Sequence, residues 1–335
     1  MNCISTAASG FLRYGALHFS KDAVTRSDNI KNTVDRDLND SGLDKKDLEQ
    51  NVIIIDLRGE GQCDKVIAPV VQYLRSIPVK QVAVVFNAKV DTAKLDYPAV
   101  SITAAMADHG SWFSNLKNKP KILDTDCDFL CLMRSPNRSR AKLANRLLSE
   151  VSSLRISFGS MCESHELVQF DAWLPNRRLP LLLDGPVVRD SRNLEHAMDN
   201  PIFRKCAINV VAETSSQWPD TWNSIFVTEK TFKAFGMFQL PIWWAVPGLV
   251  KCVRSLGFDL FDDVIDHSYD NENDEDRRLD MVIYQIKQLE SINPTALRDK
   301  FKHRLYANWQ KLDELIETLP KDFNDILSML AMPKS

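Results

Sequence analysis

Apolar runs of strand length alternate with helical stripes along this chain. Val52-Ile53-Ile54-Ile55-Asp56 is a continuous β-branched run of the kind buried on both faces of a parallel sheet. Val66, Ile67, Val70, Val71 and Leu74 then share one helical stripe, and a second run at Val82–Phe86 and a third at Ala99–Thr103 follow. Strand, helix and strand in that order predict a βαβ unit within an open, doubly wound sheet. The preceding residues 20–51 are dense in Asp, Lys and Asn and read as a solvated helix or loop.

The stretch Asn115–Lys121 breaks the pattern and reads as a linker, after which a second α/β series begins. Asp128–Met133 is predicted as a strand and Arg138–Val151 as a helix with Leu143, Leu147 and Leu148 on its apolar face. A less regular middle leads to a strand at Asn209–Ala212, a helix opened by Glu229 and running to Gly236, and a strand-like run at Leu240–Trp244. The chain is predicted to end in helices over Leu279–Leu289 and Thr295–Thr318. In the latter, Leu297, Phe301, Leu305, Trp309, Leu312 and Ile316 recur at helical spacing. The expected class is therefore α/β, with two Rossmann-like lobes over residues 1–120 and 121–335 facing a cleft. Ligands of such sheets sit outside the carboxyl ends of the strands.

Composition narrows the picture a little. Hydrophobic residues make up 44% and charged residues 26%, with a formal net charge of −3, so no global attraction to nucleic acid or to an anionic membrane is expected. Arg13 and His18 interrupt the apolar residues near the start, unlike a secretion signal, and the apolar run Phe238–Gly248 is too short to span a bilayer. A soluble, cytoplasmic chain with no membrane partner is the expectation. The seven cysteines are scattered, odd in number and form no CxxC pair. Cys127 and Cys131 read as core thiols of a buried strand in preference to metal ligands.

No GxGxxG follows the first strand, and GxxxxGK[ST], HExxH and GxSxG are absent, which weighs against a classical dehydrogenase, a P-loop enzyme and an α/β-hydrolase. The informative segment is Ser224–Gly236. Thr228 fits an N-cap, with Glu229 and Lys230 in the first helical turn. A helix N-terminus with its free N–H groups suits a diphosphate, Lys230 would add a cation, and Glu229 could accept from ribose hydroxyls. The alternative from spacing alone is a solvated first turn with Glu229 placed against the helix dipole.

Ala207–Ser215, then Phe226-Val227-Thr228-Glu229-Lys230, then Leu240–Gly248 resemble the donor-binding lobe of the α1,3-fucosyltransferase family. Phe226 stands where that family usually carries tyrosine, so a hydroxyl is missing here. Thr228–Lys233, Leu256–Phe261 and Asp266–Asp270 also resemble segments of uncharacterised glycosyltransferase-like proteins of phages, large viruses and bacteria. The likeness covers roughly residues 125–290. It implies a GT-B glycosyltransferase, with the host cytoplasm as location if phage-encoded. It also matches Arg140 to an arginine that meets the donor diphosphate, with Arg134 and Arg138 on the same loop and Lys233 in the Thr228 helix. For these arginines a solvated cationic loop is the other reading. Glu213 matches an acidic residue of the fucosyltransferases; it either faces the sugar or caps a neighbouring loop.

An inverting transfer also needs a general base, for which Asp56, Glu60, Asp108 and His109 are the candidates, each equally readable as an ordinary loop residue. No DxD motif stands at a donor-lobe strand end, so a nucleotide-sugar co-substrate with no metal and no other cofactor is expected. Trp243 and Trp244, like Trp218 and Trp222, read either as stacking surfaces or as core. The expected partners are a nucleotide-sugar donor and an acceptor that is a glycan or a modified base in phage DNA. The rival reading is a catalytically inactive transferase fold that binds a nucleotide or a protein.

Overall fold

The computed structural model describes residues 11–15, 52–57, 71–77, 81–86, 95–96, 99–102, 124–160, 162, 164–182, 203, 205–213, 225, 227–319 and 329. The protein is α/β and divides into two compact units. The first comprises Met1–Met106 with Trp218–Val227 and Thr318–Ser335, and the second Ala107–Gln217 with Thr228–Glu317. The candidate bases Glu60, Asp108 and His109, the aromatics Phe226, Trp218 and Trp222, the linker 115–121 and the polar stretch 20–51 lie outside the described residues.

The first unit holds a four-stranded parallel sheet of β1 (Phe11–Gly15), β2 (Val52–Leu57), β3 (Gln81–Phe86) and β4 (Ala99–Ser101), in that order. Three of the strands follow the apolar runs; β1 is additional. A helical segment over 71–76 buries Val71 and Leu74, as its stripe requires. Strand order equals chain order, so the winding of this sheet does not reverse among its described strands.

The second unit holds the other parallel sheet, built from β5 (Cys127–Met133), β6 (Leu154–Phe158), β7 (Cys206–Ala212) and β8 (Leu240–Trp244). Its order is β6-β5-β7-β8. All seven residues of β7 and all five of β8 are buried, which is why these strands read as unbroken apolar runs. Trp243 and Trp244 belong to this core, as do Cys127 and Cys131. Pro241 is tolerated in β8 because this is the edge strand, where a missing N–H costs no ladder bond. The free edge is covered: the Trp243 backbone N–H donates to the Tyr269 hydroxyl at 3.2 Å.

Helix α1 (Arg138–Glu150) joins β5 to β6, and α2 (Glu229–Gly236) joins β7 to β8. The two crossovers run in opposite directions across the sheet, so right-handed connections put α1 and α2 on opposite faces. Helices α3 (Leu249–Ser255), α4 (Glu275–Ser291), α5 (Pro294–Lys300) and α6 (Lys302–Thr318) complete the unit. The single terminal helix expected over 295–318 is two, broken at Phe301, which caps α5 at φ −95°, ψ 12°. Pro294 and Asn293, whose side chain accepts from the Ala296 N–H, start α5. No helix among the described residues is long and apolar enough to cross a membrane.

Candidate functional site

The order β6-β5-β7-β8 means that the chain leaves β5 to one side and later returns to lie on the other. The sheet therefore has a topological switch point between β5 and β7, and the crevice beyond their carboxyl ends is where such folds take ligands. Two loops flank it. One, Arg134–Asn137, leads from β5 into α1, which opens with Arg138 and Arg140; of the other, only Glu213 after β7 and Thr228 before α2 are described in this unit.

The two loops are locked together by buried polar groups. Asn137 caps α1, its side chain accepting from the Arg140 N–H at 2.8 Å. The Arg140 side chain, 4% exposed, then crosses the switch point. Its Nη1 donates to Ser135 O at 2.6 Å, Nη2 to Ala212 O at 3.0 Å and Glu213 O at 2.9 Å, and Nε to Glu213 O at 3.3 Å. For Arg140 the solvated-loop reading does not hold. The guanidinium is not solvated, and it closes the carbonyl ends of β5 and β7. Burial lowers its pKa, while the charges of Glu213, Cys131 and Glu229 pull the other way.

Glu213 is the hinge of the second loop. Its backbone N–H continues the ladder to Trp244 O at 3.0 Å. Its carboxylate accepts from the Thr228 N–H at 3.3 Å, from the Thr228 hydroxyl, and from the Thr231 hydroxyl at 2.6 Å. Thr231 Oγ1 in turn accepts from Trp243 Nε1 at 3.0 Å. Of the two sequence readings of Glu213, the structure displays the cap. A carboxylate of the chain itself sits at the start of α2, where the helix dipole favours an anion. Thr228 is the N-cap expected, in extended backbone, and its hydroxyl also accepts from the Lys230 N–H at 3.3 Å.

Glu229 and Lys230 form the first turn. Glu229 is 8% exposed and accepts from Lys230 Nζ at 3.0 Å. Burial would raise the Glu229 pKa, but the charges of Lys230 and Lys233 outweigh it and hold the carboxyl at about 2. Lys233 is also buried, its ammonium 5.9 Å from the centre of the Phe203 ring. Lys230 is different: its side chain is 28% exposed and is the member of this cluster that water reaches most. Arg138, at the exposed start of α1, stacks on Trp173 at 4.9 Å, and Lys142 lies 5.9 Å from the same ring. Nothing in the spacing of the sequence pointed to Trp173.

Among the charged groups described at this reversal, Arg138 is exposed and Lys230 and Arg134 are half-buried, the Lys230 ammonium also donating to the Thr228 hydroxyl at 3.2 Å, whereas both carboxylates are buried. Within the inner cluster three cations (Arg140, Lys230, Lys233) face two carboxylates (Glu213, Glu229). Among the described residues, cations outnumber carboxylates at the switch point, a balance that suits an anion. Asp56 sits in β2 of the first unit, in register with Gly15. No group of three or more His, Cys, Asp or Glu residues is placed to hold a metal ion among the described residues.

The two other segments singled out in sequence are structural joints. The Asp270 carboxylate accepts from the Val250 and Lys251 N–H groups at 3.0 and 2.9 Å and caps α3, whose N-cap Gly248 has no side chain to do so. His267 Nε2 lies 2.9 Å from Leu260 O and Nδ1 2.9 Å from the Tyr269 hydroxyl. A carbonyl can only accept, so the proton is on Nε2 and the tyrosine donates to Nδ1. Gly257, at φ +89°, turns the chain with Lys311 Cε only 3.1 Å from where a Cβ would stand.

No family model, no curated protein and no solved structure matches the chain. The likeness to the fucosyltransferases rests on the residues quoted for it.

Proposed function

We propose that the chain is a glycosyltransferase of the GT-B type that holds a nucleotide-sugar donor at the switch point of its second unit. The observation that carries this reading is the sorting of charge there: Arg138 is exposed and Lys230 and Arg134 are half-buried, while Glu213 and Glu229 are buried. A nucleoside diphosphate is the common anionic ligand of such a crevice. In this account Lys230, Arg134 and Arg138 meet the phosphates. Arg140 and Glu213 are positioning residues that fix the two loops without touching the ligand. The same cations would stabilise the diphosphate as it leaves, so no metal is called on. The acceptor hydroxyl, of a glycan or a modified DNA base, would be deprotonated by a base among Asp56, Glu60, Asp108 and His109.

A second reading has its own observation. The Glu213 carboxylate already occupies the start of α2, which fits a fold that binds a nucleotide weakly and performs no transfer. Diphosphate release from UDP- and GDP-sugars, followed with and without added oligosaccharide acceptors, separates the two. Turnover lost in Lys230→Ala and Arg138→Ala supports the transferase. Nucleotide binding with no release under any condition supports the silent module.

A further inference from the structure

A pair of thiols lies where the strands of the second unit begin. Cys127 opens β5 and Cys206 opens β7, and the two stand opposite each other in the parallel register. They are at the amino ends of these strands, away from the switch point, so nothing below depends on a donor binding there. The Lys205 carbonyl accepts from both the Asp126 and Cys127 N–H groups, at 3.0 and 3.3 Å, and fixes the two strand starts together. Neighbouring strands run about 4.8 Å apart, within the span of about 4.4–6.8 Å between Cα atoms that a disulfide asks for. Register partners also share a face of the sheet, and here the two thiols are hydrogen-bonded to each other.

The two sulfurs are not equivalent. Cys127 keeps 8% exposure beside the exposed Asp126 and half-buried Lys205, whereas Cys206 is fully buried. Contacts of 3.3 Å to Phe129 O and 3.5 Å to Ser153 O hold the Cys127 Sγ in place. The hydrogen bond from Cys206 brings the Cys127 thiol down to about 7 from its ordinary 9.0; burial opposes this and the Arg155 charge assists it. The same bond, together with burial, pushes Cys206 up. Cys131, four residues along β5, differs: burial pushes its thiol up to about 12. A thiolate-prone sulfur beside a protonated thiol is the arrangement of an attacking and a resolving cysteine.

We propose that Cys127 and Cys206 form a reversible oxidation site that closes to a disulfide in the folded chain, with a hydroperoxide as oxidant. The Cys127 thiolate attacks one oxygen of hydrogen peroxide; an S–O bond forms, the O–O bond breaks, and the hydroxide released takes up a proton to become water. The Cys206 sulfur then attacks the Cys127 sulfenic acid. The S–S bond forms, the S–O bond breaks, and the departing hydroxide takes the Cys206 proton. Two thiols thus lose two electrons, and one hydrogen peroxide is reduced to two waters. A dithiol reverses the step by exchange.

The test exposes the reduced full chain to millimolar hydrogen peroxide, blocks the remaining thiols with N-ethylmaleimide and maps peptides without reduction. A cross-link of Cys127 to Cys206 is expected as the predominant link, lost after dithiothreitol and absent from Cys127→Ser. Cys206→Ala removes the resolving thiol and should leave a sulfenic acid on Cys127 that dimedone labels. The wild-type map decides the proposal even if a variant folds poorly. In urea the preference for this link should vanish, because the register that sets it is gone. No link between the two, links from either to another cysteine in its place, or the same preference in urea would overturn the proposal. So would a folded Cys206→Ala chain in which dimedone leaves Cys127 unlabelled.

Discussion

Arg140 donates to the backbone carbonyl of Glu213 from both Nη2 and Nε, at 2.9 and 3.3 Å, and so ties the helix after β5 to the loop after β7. The bond spans the place where the winding of the sheet reverses. It holds the start of α1 against the carboxyl end of β7, and it separates the residues that build the crevice from those that would touch a ligand.

Arg140→Ala should destabilise the second unit by about 3 kcal/mol, because it strands the buried carbonyls of Ala212 and Glu213 and frees that of Ser135. Arg140→Lys should recover only part of this, since a single ammonium cannot reach what a planar fork reaches. Urea denaturation of the full chain measures both. A stability within about 0.5 kcal/mol of wild type in the alanine variant would contradict the assignment.

Thr228→Ala should cost about 1 kcal/mol through the lost cap of α2. Glu213→Ala should cost more, because three donors on Thr228 and Thr231 lose one shared acceptor. Thr228→Ser keeps the hydroxyl and is expected to stay close to wild type in the same denaturation series.

The Glu229 carboxyl lies at about 2 in place of its ordinary 4.5. The unfolded chain therefore binds the extra proton first as pH falls. The contribution is complete above 4.5 and is lost progressively toward about 2. Glu229→Gln should flatten the fall in stability across that window. An identical acid profile in the variant would show that Lys230 and Lys233 do not hold this charge.

His267 titrates below its ordinary 6.5, chiefly because burial disfavours the imidazolium, although Leu260 O and Asp262 oppose the shift. Its contribution is present above 6.5 and declines as pH drops below that value. A proton on Nδ1 would also turn a donor toward the Tyr269 hydroxyl, which covers the β8 edge. Stability measured against pH should therefore fall in this range in wild type and less so in His267→Gln.

The strands and α2 were legible because their burial is one-dimensional. Cys206–Ala212 and Leu240–Trp244 are buried along their whole length, and Thr228 before Glu229 marks a cap that the structure reproduces. The strand Leu154–Phe158 escaped notice because only its last three residues are fully buried, so its pattern resembles the end of a helix. The break at Phe301 was invisible for a related reason. Leu297, Phe301 and Leu305 keep their three-to-four spacing through it, and the N–H bonds Phe301 to Leu297 O and Leu305 to Phe301 O bridge the break. The setting of Arg140 could not be read at all. Its partners are backbone carbonyls, and no residue type announces a carbonyl left open at a strand end.

Donor binding at the switch point is tested most directly by calorimetry of the full chain against UDP, GDP and their sugars, repeated with Lys230→Ala. At least one nucleotide should bind wild type, and the variant should bind it about tenfold or more weakly with its melting temperature little changed, as expected for one lost charged contact to phosphate. No binding by any nucleotide, or equal affinity in the variant, would contradict the account.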